Sequence, residues 1–115
     1  MPADRFAERT SAVVEAVLTT SGDSDPSLRR AVYVQAAALT GGAAGTAGDV
    51  PEPLMSFVRK VATRAHTVAD EDVESLLAAG YSEDFVFEAI VAAALGAGMA
   101  RLERGLAAVG ETRGS

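Results

Sequence analysis

From Ala89 to Ala100 the chain reads Ala-Ile-Val-Ala-Ala-Ala-Leu-Gly-Ala-Gly-Met-Ala, with no charge anywhere in the run. Ser82 supplies an amino-terminal cap, Glu83 and Asp84 complement the positive end of a helix dipole, and Gly110 supplies a stop. These signals predict one long helix from about Ser82 to Val109, buried through its middle. A helix with no polar face in those turns must be covered all round. Few other segments of a 115-residue chain are free to cover it, so the expectation is a subunit that packs against copies of itself or against a partner.

Composition narrows the fold class. A chain of this length forms one domain, 1–115, and buries roughly 65 % of its unfolded surface when it folds. Ala, Leu and Val dominate, Trp is absent and aromatics make up 5 %. That mixture favours helices in tight contact over a sandwich of β-branched and aromatic strands, and the fold is expected to be all-α.

Charge and cysteine count exclude whole classes of chemistry. The formal net charge is -6 and the pI about 4.6; this sign repels phosphate backbones, and no cluster of Lys or Arg offers a footprint for nucleic acid or anionic lipid. The opening Met-Pro-Ala-Asp-Arg-Phe-Ala-Glu-Arg is too polar for a secretory signal, and the apolar run ending at Arg101 falls short of the ~20 residues that span a bilayer. A cytoplasmic protein with no membrane or nucleic-acid partner is expected. Without cysteine there is no disulfide, thiolate metal site or thiol nucleophile, and the single histidine, His66, excludes multi-imidazole metal sites. No cofactor and no metal are expected.

Hydrophobic spacing and caps divide the chain into five helices. The first runs from about Asp4 to Thr20, with Phe6, Val13, Val14, Val17 and Leu18 on one face. Asp25-Pro26 opens the second, which carries Leu28, Val32, Val34 and Leu39 to Gly41. A glycine-rich connector occupies 40–50; it lacks the Lys-Ser or Lys-Thr of a phosphate-binding loop, and no strand precedes it. The third helix starts near Pro51 or Pro53 and carries Leu54, Met55, Phe57, Val58 and Val61. A fourth, from about Asp70 to Ala79, has acidic residues in its first turn and Gly80 at its end. Residues 111–115 are expected to form a flexible tail. Within the fifth helix, Ala92, Gly96 and Ala100 recur four apart, as do Ala94 and Gly98. Such stripes let a second helix backbone approach closely, in compensation for the propensity that each glycine loses.

The segment from Phe57 to Leu95, continuing to Arg101-Leu102, resembles the carboxy-terminal half of the alkylhydroperoxidase-D-like or carboxymuconolactone-decarboxylase family. The acidic helix start, Ala79-Gly80-Tyr81-Ser82, Phe87-Glu88 and Arg101-Leu102 carry the resemblance, and Asp25-Pro26-Ser27-Leu28-Arg29 is similar to the family's lead into its active-site helix. The resemblance implies a helical, oligomeric fold in which long helices pack between subunits. The Cys-x-x-Cys pair and following His of the thiol-active members have no counterpart after Arg29, so the redox apparatus is not carried over.

Three polar residues are candidates for chemistry. Glu88 is the sole charge between Asp84 and Arg101; apolar surroundings would raise its pKa and suit it to proton transfer, or it pairs with Arg59 or Arg64 across a helix contact. His66 is either a general base oriented by a carboxylate or an exposed helix-end residue. Arg101 either clamps a substrate carboxylate or pairs with an acidic side chain of a neighbouring helix or subunit. Glu88 and Arg101 lie thirteen positions apart on different faces, so they would share a pocket only with different subunits contributing. Two readings follow: a non-redox accessory or scaffolding subunit that forms a homo-oligomer or joins a related subunit, and a decarboxylase- or isomerase-type acid–base enzyme whose small-molecule ligand binds at a subunit boundary.

Overall fold

The computed structural model describes residues 2–41 and 49–114, with side chains described for 8–41 and 49–110. These residues form five α-helices and no strand: α1 (Pro2–Thr19), α2 (Pro26–Leu39), α3 (Leu54–Arg64), α4 (Asp70–Ala78) and α5 (Glu83–Gly114), with a single 3-10 turn (Ala65–Thr67) after α3. The all-α expectation holds, and α1 to α4 fall close to their expected bounds. The connector expected over 40–50 lies largely outside the described residues. The tail expected over 111–115 is helical as far as Gly114, so α5 passes the stop expected at Gly110.

The caps form as the residue types dictate. Asp25 accepts a hydrogen bond from the Ser27 amide at 2.8 Å, with Pro26 at the first helical position of α2. Asp72 accepts from the Ala69 amide at 2.8 Å and so ties down the start of α4. Gly80 has a φ of +104°, with the Tyr81 amide reaching back to the Leu76 carbonyl and the Gly80 amide to Leu77; this left-handed stop closes α4. Ser82 Oγ accepts from the Phe85 amide at 3.0 Å and opens α5.

At ~1.5 Å per residue, the 32 residues of α5 extend about 48 Å, close to the 53 Å long axis of the molecule. α2 and α3 pack on α5 and on each other, while α1 and α4 lie at the margins. The core contains Leu18, Val32, Leu54, Phe57, Val58 and Leu76, together with the α5 residues Val86, Ala89, Ala92, Ala93 and Ala97. The tightest approach is at Gly96, where an added Cβ would sit 2.2 Å from the Tyr33 carbonyl oxygen. The stripe of Ala92, Gly96 and Ala100 therefore serves a helix crossing inside the chain.

Burial on every side of α5 is not what the structure shows. Val86, Ala89, Ala92, Ala93, Gly96, Ala97 and Ala100 are buried, whereas Phe87 is 65 % exposed and Ala94 and Gly98 are also exposed. One chain covers one face of this helix and leaves the opposite face, also uncharged between Ala89 and Ala100, open. By length and composition alone, Glu83–Gly110 is also sufficient to cross a membrane, and 39 % of its most apolar stretch is buried inside the chain. The shorter run considered in the sequence stops at Arg101; the helix does not. On α1, Val14 and Leu18 face the core but Val13 is 57 % exposed, so the inward stripe of α1 is narrower than its apolar content suggests.

Candidate functional site

Polar side chains converge where α1 ends, α2 begins and α5 starts. Asp23 and Ser24 lie in the short turn between α1 and α2, and Glu88 projects toward them from the second turn of α5. One Glu88 carboxylate oxygen accepts from the Asp23 amide at 2.9 Å; the other accepts from the Ser24 amide at 2.8 Å and from the Ser24 hydroxyl. A Cβ added at Gly22 would fall 2.6 Å from the carboxylate, so the turn approaches this closely because residue 22 has no side chain. Ser82 adds a second tie, donating to Asp23 Oδ2 at 2.7 Å.

Arg29 completes the cluster from α2. It is 4 % exposed, lies on the same helical stripe as Val32 and Ala36, and donates to the Val17 carbonyl at 2.6 Å and to the Thr20 carbonyl. It thereby neutralises the carbonyl end of α1 with a cation. Its buried Nε has no hydrogen-bond partner among the described residues.

Burial alone pushes the Glu88 pKa up, as its apolar neighbours in the sequence suggest. The Ser24 hydroxyl, the Asp23 and Ser24 amides and the nearby Arg29 guanidinium favour the charged form and outweigh it, so the carboxyl titrates below its usual range. The expected upward shift is therefore corrected, and so is the expected pairing with Arg59 or Arg64: the donors are a turn and a serine. An ionised carboxylate with both oxygens already accepting hydrogen bonds is a weak proton acceptor at neutral pH and a good structural strut.

The other two candidates lie elsewhere. Arg101 donates to the Ala62 carbonyl at 2.7 Å and fastens α5 to the last turn of α3; within one chain, among the described residues, this partner is backbone rather than an acidic side chain of a neighbouring helix. His66 is exposed in the 3-10 turn, and among the described residues its imidazole has no hydrogen-bond partner. Thirteen residues of helix separate Glu88 from Arg101, about 20 Å along α5, so one chain does not bring them together. Sequence reasoning missed Gly22, Ser24 and Arg29. The available signal was Arg29 itself, a charge at the i, i+3, i+7 spacing of the buried positions Val32 and Ala36.

Two cavities among the described residues bear on function. One of about 260 Å³ lies beside the Glu88 cluster, between Val17, Thr20, Arg29, Phe87 and Val91. Another of about 430 Å³ lies between α3 and α4, lined by Phe57, Lys60, Arg64, Thr67 and Asp72 among others; there Lys60 pairs with Asp72 at 2.9 Å. Among the described residues no three His, Asp or Glu side chains gather as metal ligands would. Comparison of the chain with protein-family models, with curated proteins and with solved structures finds no match.

Proposed function

We propose that the chain is a non-redox accessory or scaffolding subunit, akin to the alkylhydroperoxidase-D and carboxymuconolactone-decarboxylase proteins, that acts by assembling through α5. The observation that carries this reading is the outward face of α5, which is apolar and uncovered beside a well-packed inward face. An open stripe of this kind on a soluble chain marks an interaction surface. The likeness to that family rests on the sequence resemblance through Ala79-Gly80-Tyr81-Ser82, Phe87-Glu88 and Arg101-Leu102. The reading keeps the protein in the cytoplasm, with α5 covered by protein; Arg101, Glu103 and Arg104 interrupt its apolar character.

Catalysis is the weaker reading because Glu88 and Arg101, its proposed base and anion clamp, are both occupied in holding α5 to the rest of the chain. The open cavity beside Glu88 is the space the acid–base reading would use. Light scattering on the purified chain, repeated for Glu88→Gln and Arg101→Ala with lactone and keto-acid substrates present, separates the two. Scaffolding predicts a defined oligomer with no turnover. Turnover that disappears in both variants while the oligomer persists would reverse the order.

A further inference from the structure

The outward face of α5 has an internal symmetry. Asp84, Phe87, Val91, Ala94, Gly98 and Arg101 follow at intervals of 3, 4, 3, 4 and 3, the average spacing of 3.5 that keeps a stripe facing a partner helix. The same intervals appear when the stripe is read from either end. All six residues lie on the exposed side; only Val91 is half-buried. The stripe covers about 26 Å of helix, with a carboxylate at one end, a guanidinium at the other, and bulk and notch placed at matching heights between them.

Resting on the assembly reading, we propose that the occupant of this face is a second copy of the chain, its α5 lying antiparallel to the first about a two-fold axis level with Ala92 and Ala93. In this register Asp84 faces the second copy's Arg101, Phe87 faces Gly98, and Val91 faces Ala94, each pairing occurring twice. A Cβ added at Gly98 meets nothing within 4 Å, so within one chain the notch is empty, and the phenyl ring 65 % exposed on Phe87 fills its counterpart. Arg101 spends one donor on Ala62 and has four left for the carboxylate. A parallel pair would instead set Asp84 against Asp84, Phe87 against Phe87 and Arg101 against Arg101. Charge complementarity therefore selects the antiparallel arrangement, and a closed two-fold pair consumes the face completely.

The test uses the full chain and its lack of cysteine. Wild type is expected to sediment at twice the 11.7 kDa chain mass, and Phe87→Glu at that mass with unchanged helical circular dichroism. Asp84→Arg weakens association about tenfold or more, and adding Arg101→Asp to it restores association. The double variant Phe87→Cys/Gly98→Cys cross-links into dimers on oxidation, whereas neither single variant does, because like positions lie about 16 Å apart along the axis. An oligomeric wild type in which the single Phe87→Cys cross-links, or in which the charge swap fails to restore association, overturns the antiparallel pairing and leaves assembly standing. A wild-type chain that stays single at micromolar concentration, whether free or bound to phosphatidylcholine vesicles, overturns both.

Discussion

The inward and outward faces of α5 are made from nearly the same residues and behave oppositely. Ala92, Ala93, Gly96 and Ala97 are buried under α2 and α3, while Ala94 and Gly98, two positions on from Ala92 and Gly96, stand in the open. At Gly96 the backbone of α2 is so close that no side chain fits; at Gly98 there is nothing to meet. Small residues in a helix therefore do not by themselves say whether they serve the fold or a partner. The contact made by each one decides.

The largest expected effect sets the two glycines apart. Gly96→Val drives a branched side chain into the Tyr33 carbonyl and costs about 3 kcal/mol or more, enough to unfold much of the population of a marginally stable domain. Even Gly96→Ala, which would favour an isolated helix, is expected to lower the melting temperature. A Gly96→Ala variant that melts at or above wild type in a calorimetric scan would break the claim that this crossing has no room.

Two polar struts hold α5 to the rest of the chain, one at Glu88 and one at Arg101, and their loss ranks next. Glu88→Gln keeps the shape of the side chain but gives up charge-assisted hydrogen bonds to the Asp23 and Ser24 groups, an expected loss of about 1–3 kcal/mol in urea unfolding at pH 7. The folded-state pKa of Glu88 lies below its ordinary value of 4.5, so its contribution is complete above that value and disappears as the pH falls through the folded one. Wild type should lose stability across this acid window, and Glu88→Gln should lose less of it. Arg101→Ala removes one hydrogen bond from a more exposed group and is expected to cost about 1 kcal/mol, with no such pH signature; matching acid profiles for the two variants would argue against an ionised Glu88.

How much of this was legible follows from the range of the interactions. Local signals placed the starts of α2, α4 and α5 well: Asp25, Asp72 and Ser82 accept from amides within three residues of themselves. The overreach at the end of α5 has a local cause too, since a glycine such as Gly110 permits a stop without forcing one. The polar cluster was hidden because its donors lie more than sixty positions from Glu88, and backbone amides leave no mark in a sequence. Glu88 was singled out correctly as unusual, but an apolar sequence context implies burial, whereas the sign of its pKa depends on which hydrogen bonds burial brings with it. Covering the long helix all round was half right for a similar reason. A charge-free run does not say which face is covered by the chain's own α2, and a single chain covers one of them.

Gly98→Ala carries the smallest expected effect and sharpens the comparison most, because its sign depends on whether a partner is present. In a single chain the added methyl meets nothing and replaces the poorest ordinary helix former with the best, a gain of about 0.5–1 kcal/mol. In the antiparallel pair the same methyl occupies the notch facing Phe87 and weakens association. Melting followed as a function of protein concentration distinguishes the two contributions: at high dilution the variant should melt above wild type, and the advantage should shrink or invert as concentration rises and mass action favours the dimer. An advantage that stays constant over the whole range would mean that the outward glycine faces only water, and the two faces of α5 would then differ in packing alone.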